Sequence, residues 1–394
     1  MATKRMKQRW LIRTCLAMLV IAMLFVSVIT VSADPGWSKR RLITITNDSG
    51  NALTDYQVKV EVTYDSDMQS DFDDLRFTNE ANTVGYDYWI ESKVDGSSAI
   101  VWVKVSSVPP GDSTMYMWYG NPQASSESNG KATFVFFDDF EYTDSPSNHG
   151  WTVVQQSSAG IIETSTAYAY NGSRSLRIKT QTGSEQADYV QRTSVPSGIA
   201  EVMFYDNMSE TTGGQYRMIF KYQGSNACLT GIGRQWGESG GDRYLYRFGD
   251  TWYRSDVTRI LGWHKFTIKY TGSNYRVYID DTYIAAGASG TPTSLGFGNW
   301  WNWQTYDSGY YDDVRIRKYA SPEPTTSVGS EEPVTAITLS SFTARSGNLI
   351  SQNGFPFLIW LGLVGLAVLG VGGVVWAKRG DLAGRGISKN KERR

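Results

Sequence analysis

The sequence predicts an all-β protein with two β-sandwich (jelly-roll) domains and one C-terminal transmembrane helix. Between Trp37 and Pro333, no run of residues shows the apolar period of an amphipathic helix. This region contains short runs of β-branched and aromatic residues, which Gly, Asn, Asp and Ser interrupt, as is typical of sandwich strands. The 24 tyrosines and 14 tryptophans favour broad pleated surfaces.

The N-terminus has the pattern of a secretory signal peptide. Five basic residues precede the apolar run Leu16–Val31, and the small-residue sequence Val-Ser-Ala ends at Ala33. This order predicts a signal peptide over residues 1–33 and export through the Sec pathway. A retained N-terminal anchor is the alternative. Cys15 stands at the start of the apolar run rather than after it, which argues against a lipoprotein cleavage site.

A second apolar run, Phe355–Trp376, is 22 residues long and carries no charge. That length suffices for a membrane-spanning helix, which we predict over residues 355–376. The tail over residues 377–394 holds seven basic and two acidic residues, so the positive-inside bias predicts that it is cytoplasmic. We therefore expect an ectodomain outside the cell, anchored in the membrane through its C-terminal helix.

The charge of the ectodomain limits its partners. The whole chain has 38 basic and 39 acidic residues, but the part between residues 33 and 377 has 26 basic and 37 acidic ones, a net charge of −11. Such an acidic exterior argues against nucleic acid as a partner. Only Cys228 remains after signal cleavage, so no disulfide within the chain is expected.

Composition also predicts the domain boundaries. The polar stretch Asn121–Ala132 separates two groups of strand-like runs, so we place the first sandwich at residues 34–126 and the second at residues 127–320. Pro, Ser, Thr and Glu dominate Ala320–Pro333, which predicts a linker or stalk over residues 321–354. The segment Val334–Gly347 is either one more strand or part of this stalk.

The first domain resembles a known family. The runs "GWSKRRLITITNDSG", "DFDDLRFTN" and "MYMWYGNPQA" are similar to the domain of unknown function 2341 of bacterial and archaeal surface proteins, over about residues 36–125. The resemblance implies a surface location and no known chemistry. It also implies that a concanavalin A-like domain often follows.

The second domain resembles such concanavalin A-like domains, of the laminin-G and pentraxin kind. Gly262–Gly287, "GWHKFTIKYTGSNYRVYIDDTYIAAG", is similar to the Trp-His strand and the hairpin of that family, and "YYDDVRIRKYASPEP" to its closing strand. The family usually has Asp-Gly in the hairpin, where this chain has Asp280 and Asp281. The resemblance implies carbohydrate binding or adhesion at the cell surface, and a structural role for His264.

Two other functions remain open from the sequence: a structural envelope protein that binds other proteins, and a glycan hydrolase of the glucanase-like fold. Glucanases carry Glu-x-Asp-x-(x)-Glu on one strand, which places two carboxylates on one face. No glutamate of the second domain begins this motif, and no G-x-S-x-G, HExxH or P-loop sequence is present. We therefore expect a protein that is not an enzyme.

Two pairs of adjacent aspartates stand in apolar, strand-like runs. They are Asp138 and Asp139 in "FFDDFE", and Asp312 and Asp313 in "YYDDVRI". The first and last strands of a jelly roll commonly pair, so we expect the two runs to be neighbours. Either the aspartates bind a structural Ca²⁺, which takes six to eight oxygen ligands, or they accept hydrogen bonds and pair with arginine. "DFDDLRF" in the first domain invites the same two interpretations.

An aromatic run and a hairpin are the candidate glycan-binding surfaces. The first, "GNWWNWQTYDSGYY", reads as a loop, and its rings either contact sugar or cap the core. Its candidate sugar-binding residues are Trp300, Trp301, Trp303 and Tyr306.

The hairpin is built on a turn at Gly249 and Asp250, which predicts that Arg247 faces Trp252, Tyr246 faces Tyr253 and Arg243 faces Asp256. One face then presents Arg247 beside Trp252 and Arg254, while the aromatic face should be core. The cationic face suits an acidic polysaccharide, or it is simply solvated.

Overall fold

The structure is a computed structural model that describes residues 36–179, 187–206, 217–233, 242–300 and 308–334. The predicted signal peptide, transmembrane helix and basic tail lie outside these residues. Within them, no helix is long and apolar enough to cross a membrane. The described chain is almost entirely β-structure arranged as two sandwiches, as the sequence predicts.

The first sandwich packs a five-stranded sheet against a three-stranded one. In spatial order, the five-stranded sheet contains β23 (Thr325–Pro333), β1 (Lys39–Asn47), β7 (Gly111–Tyr119), β3 (Arg76–Asn79) and β4 (Gly85–Tyr86). The three-stranded sheet contains β2 (Leu53–Thr63), β6 (Ser98–Val108) and β5 (Tyr88–Val94). Alternate residues of β2, such as Val58, Val60 and Val62, are at most 2 % exposed and form the core with Ile43 and Ile45.

The second sandwich packs an eight-stranded sheet against a seven-stranded one. The eight-stranded sheet contains β10 (Ile161–Ser165), β11 (Ser175–Lys179), β22 (Ser308–Arg317), β13 (Ile199–Asp206), β18 (Gly262–Tyr270), β19 (Tyr275–Ile279) and β20 (Thr282–Gly287), with β8 (Phe136–Asp138) paired to β22. The seven-stranded sheet contains β17 (Thr251–Thr258), β16 (Arg243–Phe248), β15 (Cys228–Gly233), β14 (Arg217–Gln223), β21 (Ser294–Asn299), β12 (Asp188–Thr193) and β9 (Thr152–Gln155). A short helix, α1 (Gly130–Thr133), and a 3-10 turn at Pro146–His149 complete the described elements.

The prediction of a stalk from residue 321 onward is wrong for β23. In this strand the chain returns to the first sandwich. β23 runs antiparallel to β1, with Thr325 opposite Thr46 and Pro333 opposite Lys39. Val328 packs against the first core, and Ala320 is buried in it. The second sandwich is therefore inserted between β7 and β23 of the first. The two sandwiches belong to one compact unit.

A buried ion network joins the two sandwiches. Glu201 of β13 accepts hydrogen bonds from Arg315 at 2.8 Å and from Arg317 at 3.3 Å. Arg315 also pairs with Glu91 of β5, and its Cζ lies 5.2 Å from the ring centroid of Trp89. We call the set Glu91, Glu201, Arg315, Arg317 and Glu323 the interface ion network. Its charges and the neighbouring rings link the inserted sandwich to the first one.

The hairpin β19–β20 carries the expected departure from its family. Asp280 and Asp281 have φ values of 47° and 61°, so both adopt the left-handed conformation that the turn requires. Asp280 also contacts His264, whose Nδ1 lies 2.6 Å from its Oδ2. His264 is 8 % exposed and so has the structural role that the resemblance implies.

Candidate functional site

The outer face of the seven-stranded sheet gathers the four candidate glycan-binding residues that the structure describes, Arg247, Trp252, Arg254 and Trp300. On β14, Met218, Phe220 and Tyr222 point into the core, so Ile219 and Lys221 point outward. The register places six residues on this side of the sheet in one row across six strands: Gln191, Gly296, Lys221, Leu229, Arg247 and Trp252, of which Gly296 and Leu229 are buried. With neighbouring strands about 4.8 Å apart, this row is about 24 Å long. We call this surface the Lys221 face.

Trp300 follows β21 and stands edge-on over Gly296. A Cβ atom on Gly296 would lie 2.6 Å from Cη2 of Trp300, so only glycine leaves room for the indole there. Tyr189 of β12 stacks on the indole, with ring centroids 4.3 Å apart at an angle of 22°. The Nζ of Lys221, on the other neighbouring strand, lies 4.4 Å from the indole centroid. Trp300 therefore holds Lys221 in place.

The ammonium group of Lys221 has no acidic partner among the residues that the structure describes. Its side chain is half-buried, and this burial lowers the pKa of Lys221 to about 8. The indole of Trp300 supplies cation–π attraction but no counter-charge. A desolvated cation without a counter-charge is unfavourable in a resting protein, which makes Lys221 the position on this face most able to receive an anion.

The structure confirms most of the predicted hairpin register. Arg247 pairs with Trp252 and Tyr246 with Tyr253, and the guanidinium Cζ of Arg247 lies 5.6 Å from the ring centroid of Trp252. The pairing of Arg243 with Asp256 is wrong, because a bulge after Arg243 places it opposite Thr258.

The aromatic face of the hairpin is only partly core. Tyr244 is fully buried, but Tyr253 lies on β17 at the edge of the sheet and is 42 % exposed. An edge strand has no further neighbour to cover its inward ring.

Acidic residues at the ends of the hairpin strands compensate the positive charges of the predicted cationic face. Arg247 pairs with Asp250 at 2.9 Å, and Arg254 pairs with Asp242. Trp301, Trp303 and Tyr306 lie outside the described residues. On this face, Lys221 is the cation that has no counter-charge among the described residues, and it was not among the predicted site residues. The alternation of apolar residues in "RMIFKYQ" places it on the outer face, and that signal was available.

The two aspartate pairs lie on neighbouring strands, as predicted. β8 pairs with β22, and Asp138 stands opposite Val314. The carboxylate of Asp138 accepts hydrogen bonds from the indole of Trp151 at 2.7 Å and from the amide of Phe140 at 3.0 Å.

The other three aspartates also have partners. Asp312 accepts from the amides of Tyr170 and Asp313, both at 2.8 Å, and Asp313 accepts from the side-chain amide of Asn171. Asp139 lies 3.9 Å from Lys131. These are the contacts expected if the aspartates accept hydrogen bonds and pair with basic side chains.

Burial dominates the titration of Asp312 and Asp313. Burial and the neighbouring charge of Asp313 raise the pKa of Asp312 above its usual range, and burial also raises the pKa of Asp313. Both side chains are at most 1 % exposed. Neither carboxylate is therefore placed to meet a substrate.

Three carboxylates approach within 4.8 Å of one another at one place in the described part of the chain, the group Asp65, Asp67 and Glu331. Lys39 pairs with Asp67 at 2.7 Å and also with Glu331, so a protein cation already occupies that group. The aspartates at positions 138, 139, 312 and 313 form no such set. Calcium binding there stays a prediction, as it does for the acidic run of the first domain.

Comparison with known proteins gives one family match. The model of the domain of unknown function DUF2341 matches residues 71–154. The match runs from just before β3 of the first sandwich to β9 of the second, and so crosses the junction between them. No curated protein matches the chain.

Several solved structures are similar in fold over less than half of this chain. They include a cellulose-induced protein, Cip1 (15 % identity, 47 % of this chain and 97 % of that one, TM-score 0.35). A carbohydrate-binding module, CBM66 from Bacillus subtilis, has 12 % identity over 43 % of this chain and 96 % of its own, with a TM-score of 0.29. A glycoside hydrolase family 16 endo-glucanase from Bacteroides ovatus has 13 % identity over 46 % and 99 %, with a TM-score of 0.33.

Proposed function

We propose that the protein binds carbohydrate on the Lys221 face and that the preferred ligand is an acidic polysaccharide. The single observation that supports this most is the half-buried ammonium group of Lys221, held against Trp300 without an acidic partner in the described residues. Natural proteins accept an energetically unfavourable group mainly where a ligand or reaction needs it. A uronate carboxylate supplies the missing charge through a charge-assisted hydrogen bond.

The rest of the face fits an extended sugar chain. Trp252 is half-buried beside the guanidinium group of Arg247, about three strand spacings, roughly 14 Å, from Lys221. Sugar rings pack their C–H faces against such rings, while Gln191 of the same row offers an amide for hydroxyl groups. Because Leu229, which lies between them, is only 1 % exposed, Lys221 and Trp252 would contact separate parts of one polysaccharide rather than a continuous row of sugars.

The proposal includes the place of action. With the predicted signal peptide and C-terminal helix, the sandwiches act outside the cell, and the protein is a membrane-anchored carbohydrate-binding or adhesion protein. We propose binding without hydrolysis, because the second domain lacks the paired-carboxylate motif that glucanases carry. The structural envelope protein and the hydrolase are the alternatives that the experiment below also tests.

We expect Lys221→Gln to weaken the binding of acidic polysaccharide about ten- to a hundredfold, since a hydrogen bond to a charged group contributes roughly 1.5–3 kcal/mol. The measurement is affinity electrophoresis of the full-length protein in gels that contain polygalacturonate, alginate or hyaluronate. Lys131→Gln serves as the control, because this lysine is 61 % exposed and lies in α1, far from the row.

Equal retardation of the wild type and Lys221→Gln would contradict the site. Absence of retardation by every acidic polysaccharide would contradict the function and favour an envelope protein. Release of reducing ends from the same polysaccharides would show a hydrolase instead.

A further inference from the structure

A second concave site lies in the first sandwich, at the edge of the sheet where β3 meets β4. The cavity has a volume of about 430 Å³, within the 300–1,000 Å³ that is usual for small-ligand sites. Its lining combines aromatic rings with charged groups: Trp37, Arg76, Tyr86, Asp87, Trp118 and Glu127. It belongs to the other sandwich from the Lys221 face and shares no residue with it.

The tryptophan rings of this cavity are held in fixed positions. The indole N–H of Trp37 donates to the carbonyl oxygen of Asp74 at 3.1 Å. The indole N–H of Trp118 donates to the hydroxyl oxygen of Thr78 at 2.8 Å. Both polar edges are thus satisfied within the protein, so the apolar parts of the rings are what the indoles contribute to a ligand.

The charges of the lining disfavour an anionic ligand. Arg76 is the one cation among the described lining residues, and it pairs with Glu127 at 2.9 Å and donates to the carbonyl oxygen of Ser125 at 2.8 Å. Asp87 pairs with Lys104 at 2.6 Å, so its charge is compensated as well. An anion entering this cavity would therefore find its one lining cation already compensated and would lie beside two carboxylates that are themselves paired.

A cationic ligand is disfavoured as well. The guanidinium Cζ of Arg76 lies 5.3 Å from the ring centroid of Trp37, and that of Arg40 lies 5.5 Å from the ring centroid of Trp118. Both indoles already have a cation within cation–π distance. An ammonium group placed among these rings would meet positive charge where an aromatic cage needs open ring faces.

We propose that this cavity binds a neutral saccharide. The C–H faces of a neutral saccharide pack against the aromatic rings of the cavity. Its hydroxyl groups form hydrogen bonds with the uncharged and acidic side chains. The side-chain amide of Asn82 and the hydroxyl of Tyr86 line the cavity and have no hydrogen-bond partner among the described residues. They are the groups that would select sugar hydroxyls, with the carboxylates of Asp87 and Glu127 as additional acceptors.

The test measures the binding of neutral hexasaccharides (cellohexaose, xylohexaose and mannohexaose) to the full-length protein by isothermal titration calorimetry. We expect at least one to bind, and we expect Trp37→Leu and Asn82→Gly each to weaken it about tenfold or more. Asn82 has a φ of 52°, which glycine adopts freely, so Asn82→Gly removes the amide and keeps the turn. Tyr283→Ala is the control, since this tyrosine is 55 % exposed and lies on β20 of the other sandwich.

The proposal is overturned by no heat of binding with any of the neutral hexasaccharides, or by unchanged affinity in Asn82→Gly with an unchanged melting temperature. If Trp37→Leu does not fold, the affinity of Asn82→Gly alone decides whether the cavity binds the saccharide. The outcome is independent of the Lys221 face, because oligogalacturonate, an acidic probe for that face, is not expected to compete with a neutral hexasaccharide here. Competition between the two probes would also contradict a separate neutral site.

Discussion

A chain that ends after Ser321 is expected to lose the folded first sandwich, whereas a chain that ends after Thr338 is expected to keep it. The shorter chain lacks β23, which pairs with β1 and packs Val328 against the core. It also lacks Glu331, which pairs with Lys39 and accepts a hydrogen bond from the hydroxyl of Tyr119 at 2.8 Å. Loss of an edge strand exposes the backbone groups of β1 and part of the apolar core.

The comparison is made by urea unfolding, followed through tryptophan fluorescence and circular dichroism. A point variant gives a milder form of the same test: Val328→Asp should cost about 1–3 kcal/mol of unfolding free energy, and Ser327→Asp, exposed on the same strand, less than about 0.5 kcal/mol. Identical unfolding of the two truncated chains would show that β23 is a dispensable attachment.

Glu201→Gln is expected to destabilise the protein by about 3–5 kcal/mol, the usual cost of removing one partner from a buried ion pair. Glu201 is 3 % exposed and lies between Arg315 and Arg317, which are themselves 1 % and 7 % exposed. The variant leaves both guanidinium groups buried with reduced counter-charge. Glu163→Gln is the matched control, because its pair with Arg177 is 3.2 Å long but half exposed, and should contribute less than about 1 kcal/mol.

The same network predicts a pH dependence. Burial alone would raise the pKa of Glu201, but Arg317 and Arg315 hold that pKa below its usual value of 4.5. A depressed carboxyl pKa stabilises the folded state above the unfolded value and loses that contribution as the pH falls through the folded one. The difference in unfolding free energy between wild type and Glu201→Gln should therefore shrink below about pH 4.5. A constant difference down to about pH 2 would contradict the ionised network.

The strands themselves were predictable because alternation of apolar residues marks the buried face locally. The β16–β17 register followed from the turn at Gly249 and Asp250, and the pairing of β8 with β22 from jelly-roll topology. β23 was not predictable in this way. Its half-exposed edge position removes the apolar alternation, and its partner strand lies almost 300 residues earlier, as the 292-residue separation of Lys39 and Glu331 shows. The composition of β23 alone is therefore typical of a spacer.

The candidate site was predictable only in part. The local pattern placed Arg247 and Trp252 side by side, but it missed Asp250 and Asp242, whose charges balance Arg247 and Arg254. The spacing of Arg247 and Asp250 across the turn carried that information. To predict the contact between Lys221 and Trp300, the order of strands β21, β14 and β15 in the sheet must be known, since only that order brings the two side chains together. Sheet order depends on long-range pairing that no local pattern encodes.

The most direct test of carbohydrate binding at the Lys221 face is the affinity of the full-length protein for oligogalacturonate as a function of pH. Burial lowers the pKa of Lys221 to about 8, so the anion-binding charge is present below that pH and is lost above it. We expect wild-type affinity to fall about tenfold or more between about pH 6.5 and about pH 9.5. Lys221→Arg, which stays charged throughout, should retain its affinity over the same range. Parallel pH profiles for the two proteins, or no binding by the wild type at about pH 6.5, would contradict the account.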